Sequence, residues 1–279
     1  MRTMEGNHIA AGTERLRFMD AHIHLDGYGP EQRPLLEQSL DAEELDGVIA
    51  VSMDAASCRE VQRWAERYPG RVHPAYGYHP EQALPSEPER SALLQWMDER
   101  RDEMIAIGEV GLPYYMRQEA VRAEGSEAAF PRGAYLELLE AFVQRAAAWD
   151  KPIVLHAVYD DAPLVIDLLE RYSVRTAHFH WFKGDAKTTE RMAGNGYYIS
   201  FTPDLAYEAE IRELALRYPP ERVMTETDGP WPFEGPFAGQ VTLPLMVRDV
   251  AASWAALQRL EFGEATALLR ANAKRCYGV

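Results

Sequence analysis

The strongest constraint on this chain is an eightfold alternation. A short apolar run of β type is followed each time by a stretch with helical apolar spacing. The runs cover 17–24, 47–53, 71–78, 104–109, 153–156, 175–180, 197–201 and 222–226. Amphipathic stretches lie between them at 31–44, 57–68, 89–101, 132–149, 161–172, 185–194 and 204–218, and two more follow at 242–258 and 262–276. Runs such as "GVIAV" and "KPIVLH" lack apolar–polar alternation, as strands buried on both faces do. Strands that alternate with helices pair in parallel. The pattern predicts a (β/α)8 TIM barrel of the α/β class, with its site at the C-terminal ends of the strands. The rival, an open doubly wound sheet, wants a glycine-rich phosphate loop after its first strand. That position reads "HIHLDGYGPEQ", with Gly27 and Gly29 but neither GxGxxG nor a Walker lysine.

A length of 279 residues suits one such barrel. Residues 17–279 are read as that domain, and 1–16 as an N-terminal extension without the apolar centre of a secretory signal. No apolar run approaches the roughly 18 residues of a membrane span. The two cysteines, Cys58 and Cys276, form no CxxC pair, which fits a cytoplasmic protein without a thiolate metal site. Segment 110–131 is too long for a simple connector and is expected to form a lid or a wall of the site. The net charge of −15 should repel nucleic acid over most of the surface. A phosphate-bearing substrate would then need a local cationic site, which a bound metal can supply.

Polar residues collect where the predicted strands end. His22 and His24 close the first, His79 follows the third, and Glu109 closes the fourth. His156 closes the fifth, His180 the sixth, and Asp228 follows the eighth. In a barrel these ends share one mouth. Any one of these histidines alone is more simply a satisfied core residue, but a buried carboxylate needs a partner. Two acids at one mouth repel each other without a cation. Positions i and i+2 of a strand share a face, so His22 and His24 are expected to clamp one ion. Imidazoles with carboxylates suit Zn, Mn, Fe or Ni better than Ca. Six such groups exceed one tetrahedral site, and two ions sharing a carboxylate use them better.

The stretches "DAHIHLD", "YGYHPEQ", "IGEVGLPYY", "KPIVLH", "HWFKG", "ETDGPW" and "NAKRCYG" occur in an order that resembles the TatD-like family of metal-dependent hydrolases, within the amidohydrolase superfamily. The resemblance runs from about Arg17 to the end. It implies a barrel with two divalent ions (Zn, Mn, Ni, Fe or Mg) and hydrolysis of an ester-type bond, most simply a phosphodiester as in a deoxyribonuclease. It implies that His22, His24 and Asp228 hold the first ion, that Glu109 bridges both, and that His156 and His180 complete the second. Asp228 and Glu109 would then be the catalytic pair, with Asp228 taking the proton from water. The chain departs from the family pattern at two places. Val158 stands where an arginine is usual, and Pro113 replaces an aspartate in "GLPYY".

Other residues have two readings. His178 shares a face with His180 and could be the ligand in its place. His79 either touches substrate or orders a loop, Lys183 and Arg117 either balance the phosphate charge of a substrate or are solvated surface groups, and Tyr114 either stacks on a ring or packs under a loop. Tyr115, Trp181 and Trp231 either stack on a ring or pack under a loop, and Asp20 either orients a histidine or caps a strand. The expected partner is a small-molecule or nucleic-acid-end phosphoester, with no membrane and no obligate protein partner. The alternatives are a small-molecule amide, lactone or phosphoester hydrolase on the same scaffold, and a catalytically silent metal-binding regulatory protein.

Overall fold

The computed structural model describes residues 15–126, 128 and 130–279. Most of the 1–16 extension therefore lies outside the described residues. Eight strands form one sheet in sequence order, each parallel to the next. They are β1 (Phe18–Ile23), β2 (Leu45–Ala50), β3 (Val72–Tyr76), β4 (Ala106–Gly111), β5 (Ile153–His156), β6 (Ala177–Phe179), β7 (Tyr198–Phe201) and β8 (Val223–Thr225). The sheet curls back on itself just past β8. There the Asp228 N–H donates to His22 O (3.0 Å) and the His24 N–H to Gly229 O (2.8 Å). The result is the expected (β/α)8 barrel.

Both faces of the strands are buried, which is why their sequences lack alternation. Met19, Ala21, Ile49, Val51, Ala75, Ala106, Val154, Tyr198 and Met224 fill the interior. The last helix, Phe262–Tyr277, adds Ala273, Cys276 and Tyr277 to that cluster. A larger apolar layer joins the outer faces of the strands to the surrounding helices. Cys58 and Cys276 are both free and buried. Among the described residues no helix is long and apolar enough to cross a membrane.

Segment 110–131 is not loop throughout. We number as α1 the helix Tyr114–Glu124 and as α2 the helix Arg132–Trp149. The sequence "YYMRQEAVRAE" is rich in helix formers, and Gly125 ends α1 in the left-handed region at φ 71°. The stretch read as one helix over 204–218 is a 3-10 turn, Pro203–Ala206, followed by a helix, Ala209–Arg217. These differences leave the strand ends in place.

Candidate metal centre

Glu109 is fully buried on β4, and its two oxygens face two different sets of imidazoles. Oε2 lies 3.2 Å from His22 Nε2 and 3.3 Å from His24 Nε2. Asp228 Oδ1 completes that side, 3.2 Å from His22 Nε2 and 3.4 Å from His24 Nε2. The other oxygen, Oε1, lies 2.7 Å from His180 Nε2, 3.1 Å from His156 Nδ1 and 3.2 Å from His79 Nε2. The i, i+2 argument holds only for His22, because β1 stops at Ile23. His24 sits just beyond it, heading a 3-10 turn, and still brings its Nε2 within 3.3 Å of His22 Nε2.

The donor set fits divalent cations. Glu109 Oε2 and Asp228 Oδ1 are buried with no hydrogen-bond partner, although imidazole nitrogens stand close by. Ligand atoms about 2.0–2.2 Å from a tetrahedral ion stand roughly 3.4 Å apart. The separations of 3.2–3.4 Å around His22, His24, Glu109 and Asp228 match that spacing. Leaving such carboxylate atoms buried and unpaired costs several kcal/mol. Ligand atoms at this mutual spacing are what a cation requires once the imidazoles have given up their protons.

The protonation pattern points the same way. Burial alone would raise Glu109, but His180, His79 and His22 hold it well below the usual carboxylate range. Burial likewise opposes ionisation of Asp228, and the imidazoles of His22 and His24 beside it keep it depressed. Burial would lower the imidazoles, yet Asp228 and Glu109 lift His24 to about 9, and Glu109 and Glu81 lift His156 to about 9. His180, dominated by burial, falls to about 4. His22, between Glu109 and Asp228, is likewise raised well above the ordinary imidazole value, so three imidazoles carry protons at neutral pH, and each must lose one before its lone pair can bind a metal. Metal loading at neutral pH should therefore release protons, and affinity should rise with pH between 6.5 and about 9. Calorimetry in two buffers of different ionisation enthalpy would read this; a loading heat independent of buffer would contradict it.

Tautomers separate the remaining histidines. His79 and His156 also stand with Glu109 at metal-sharing distance. However, His79 Nδ1 accepts the Glu81 N–H (3.1 Å), which leaves the proton on Nε2 facing Glu109. His79 is therefore a hydrogen-bond donor at the mouth. Both nitrogens of His178 are occupied, by Tyr277 OH and Ser200 Oγ, each at 2.5 Å. Burial holds His178 neutral. His180 is the one whose Nε2 reaches Glu109.

Two acids escaped the sequence reading. Glu81 accepts the N–H groups of Tyr115 (2.8 Å) and Met116 (2.7 Å) at the start of α1, and its Oε1 lies 3.3 Å from His156 Nε2. It ties the wall helix to an imidazole of the centre. Its only signal was its place two residues after His79. Glu226 accepts the Trp181 N–H (2.7 Å), lies 3.8 Å from His180 Nδ1, and is pushed up to about 8 by burial. Among the described residues Asp20 has no hydrogen bond to an imidazole ring. It accepts the N–H groups of His22 (3.2 Å) and Thr227 (3.0 Å) and so pins the barrel seam.

The other mouth candidates fall in different places. Lys183 lines a cavity of about 1300 Å³ above the centre, as do His79, Tyr115, Trp181 and Trp231. The Tyr114 ring packs against Tyr115 and Tyr159 and is not among the lining residues. Arg117 is buried and turned to Asp160 (2.7 Å) and Asp161 (3.2 Å). Its charge compensates a buried acid, and it does not line the cavity.

A parallel (β/α)8 barrel with histidines and carboxylates gathered at the strand ends defines a barrel metallohydrolase. The family model described as "TatD related DNase" matches residues 19–278. A protein named "Uncharacterized metal-dependent hydrolase" from Haemophilus influenzae is 37% identical over 216 residues, covering 77% of this chain and 82% of its own. The human "Deoxyribonuclease TATDN3" is 26% identical over 221 residues, covering 76% and 77%. The crystal structure of the TatD homologue YJJV from Escherichia coli superposes with a TM-score of 0.76 at 24% identity, covering 95% of this chain and all of that one. The chain belongs to the TatD family and is a metal-dependent hydrolase.

Proposed function

We propose that the chain hydrolyses a phosphoester with two divalent cations. His22, His24 and Asp228 hold one, His156 and His180 the other, and Glu109 lies between. The observation that carries this reading is Glu109, which turns one buried oxygen to each group of imidazoles. When bound, the cations lower the pKa of water from 15.7 towards about 7 and stabilise charge developing on a substrate oxygen. Asp228 borders the cavity and, ionised at neutral pH, takes the proton of the attacking water and returns it to the leaving group. His79 lines the cavity and, its proton fixed on Nε2, donates to Glu109 Oε1 and so helps hold that carboxylate in place. Lys183, which also lines the cavity, balances the charge of the phosphoryl group.

A nucleic-acid end is one form of such a bond, and the human relative bears the name deoxyribonuclease. The test is chelation, followed by restoration with single metals, against chromogenic phosphodiesters, esters and lactones. Phosphodiester cleavage should vanish with chelator and return with Mn or Zn. Turnover of lactones or carboxylic esters alone would overturn the phosphoester reading. Metal binding without any turnover would indicate the regulatory alternative.

A further inference from the structure

The cavity above the centre has an uneven lining. Lys183 is the only lysine or arginine among the lining residues. Glu119, Glu208 and Glu234 stand exposed around the same opening. The arginine of the wall helix, Arg117, is committed to Asp160 and Asp161. Buried and apolar, Val158 also lines the cavity. Asp228, whose Oδ1 stands beside His22 and His24, lines the same cavity, so the three glutamates share it with the candidate metal centre.

Aromatic rings supply a second part of the lining. Among the described residues, the exposed large apolar side chains include two aromatics, Tyr115 at 45% and Trp231 at 55%, and both line this cavity. Trp231 is set against Trp181, with ring centroids 5.7 Å apart, and Lys183 Nζ stands 5.4 Å from the Trp181 centroid. Exposed rings held by other rings are ready surfaces for a flat partner. They would serve a nucleic-acid strand only in a positively charged groove that follows its backbone. Here the rim of the cavity carries the opposite sign. One phosphoryl group can be met by the centre and Lys183, but a second or third phosphate would face the rim carboxylates.

Building on the phosphoester reading above, we propose that the substrate is a small phosphoester with one phosphoryl group joined to a flat group without negative charge. In this arrangement the flat group stacks on Trp231 or Tyr115, and the acid rim turns nucleic-acid strands away.

The test compares thymidine 5′-(p-nitrophenyl) phosphate with a single-stranded oligodeoxynucleotide on the manganese-loaded protein. The small ester should have a kcat/KM about a hundredfold higher. The triple variant E119Q/E208Q/E234Q should raise kcat/KM for the oligonucleotide about tenfold and move the small ester less than about threefold. Trp231→Ala should raise KM for the small ester about tenfold and leave kcat near its starting value. Equal turnover of the two substrates by the unaltered protein, or a ratio unchanged in the triple variant, would overturn the proposal. If neither is cleaved although metal loads, the phosphoester reading fails. The rim is then judged by quenching of tryptophan emission, where tighter binding of the oligonucleotide than of the small ester overturns the charge argument.

Discussion

Replacing Glu109 with glutamine should lower turnover by about three orders of magnitude or more and leave the barrel folded. The amide has the shape of the carboxylate, and the apolar contacts of β4 are untouched. What disappears is the single negative charge that both groups of imidazoles share. The three imidazoles nearest Oε1 and the two nearest Oε2 would then face a neutral group. His24 and His156, lifted to about 9 partly by this carboxylate, should titrate lower. Elemental analysis should show less than two equivalents of metal, with the thermal midpoint of the metal-free protein little changed. A glutamine variant that kept two ions and full turnover would remove Glu109 from the centre.

The fold was largely legible because it rests on periodicity. Runs such as "GVIAV" are buried on both faces, and nothing but a parallel strand explains eight of them in sequence. The centre was partly legible because barrel topology brings strand ends together, so His22, Glu109, His156 and His180 could be paired without coordinates. What stayed hidden depends on local geometry. Glu81 looks like a solvated loop acid until its carboxylate meets two N–H groups of α1. His178 and His180 are equivalent by spacing, and only Ser200 and Tyr277 distinguish them. Arg117 had two readings, a balance for phosphate charge or a solvated surface group, and neither could be chosen because its partners, Asp160 and Asp161, lie more than forty positions away in the chain. The helix α1 was missed for a different reason. Its sequence is polar and follows a proline, so helical propensity had no apolar stripe to reveal it.

Asp228→Asn separates proton transfer from assembly of the centre. Asp228 has left-handed backbone at φ 50°, a conformation that asparagine tolerates as well as aspartate does. Its N–H bond to His22 O closes the barrel seam and does not involve the side chain. The variant should therefore fold and present its remaining oxygen towards His22 and His24. It cannot accept a proton from water, because an amide is not a base at any working pH. The expected result is a kcat lowered by about three to four orders of magnitude, with KM changed far less, the signature of an interaction needed only in the transition state. Metal content decides between the two roles of this side chain. If both ions remain and kcat collapses, Asp228 is the proton acceptor. If one ion is lost and excess metal restores the rate, its part is to hold the cation and the base lies elsewhere. Undiminished turnover with a full metal complement would exclude it from both roles.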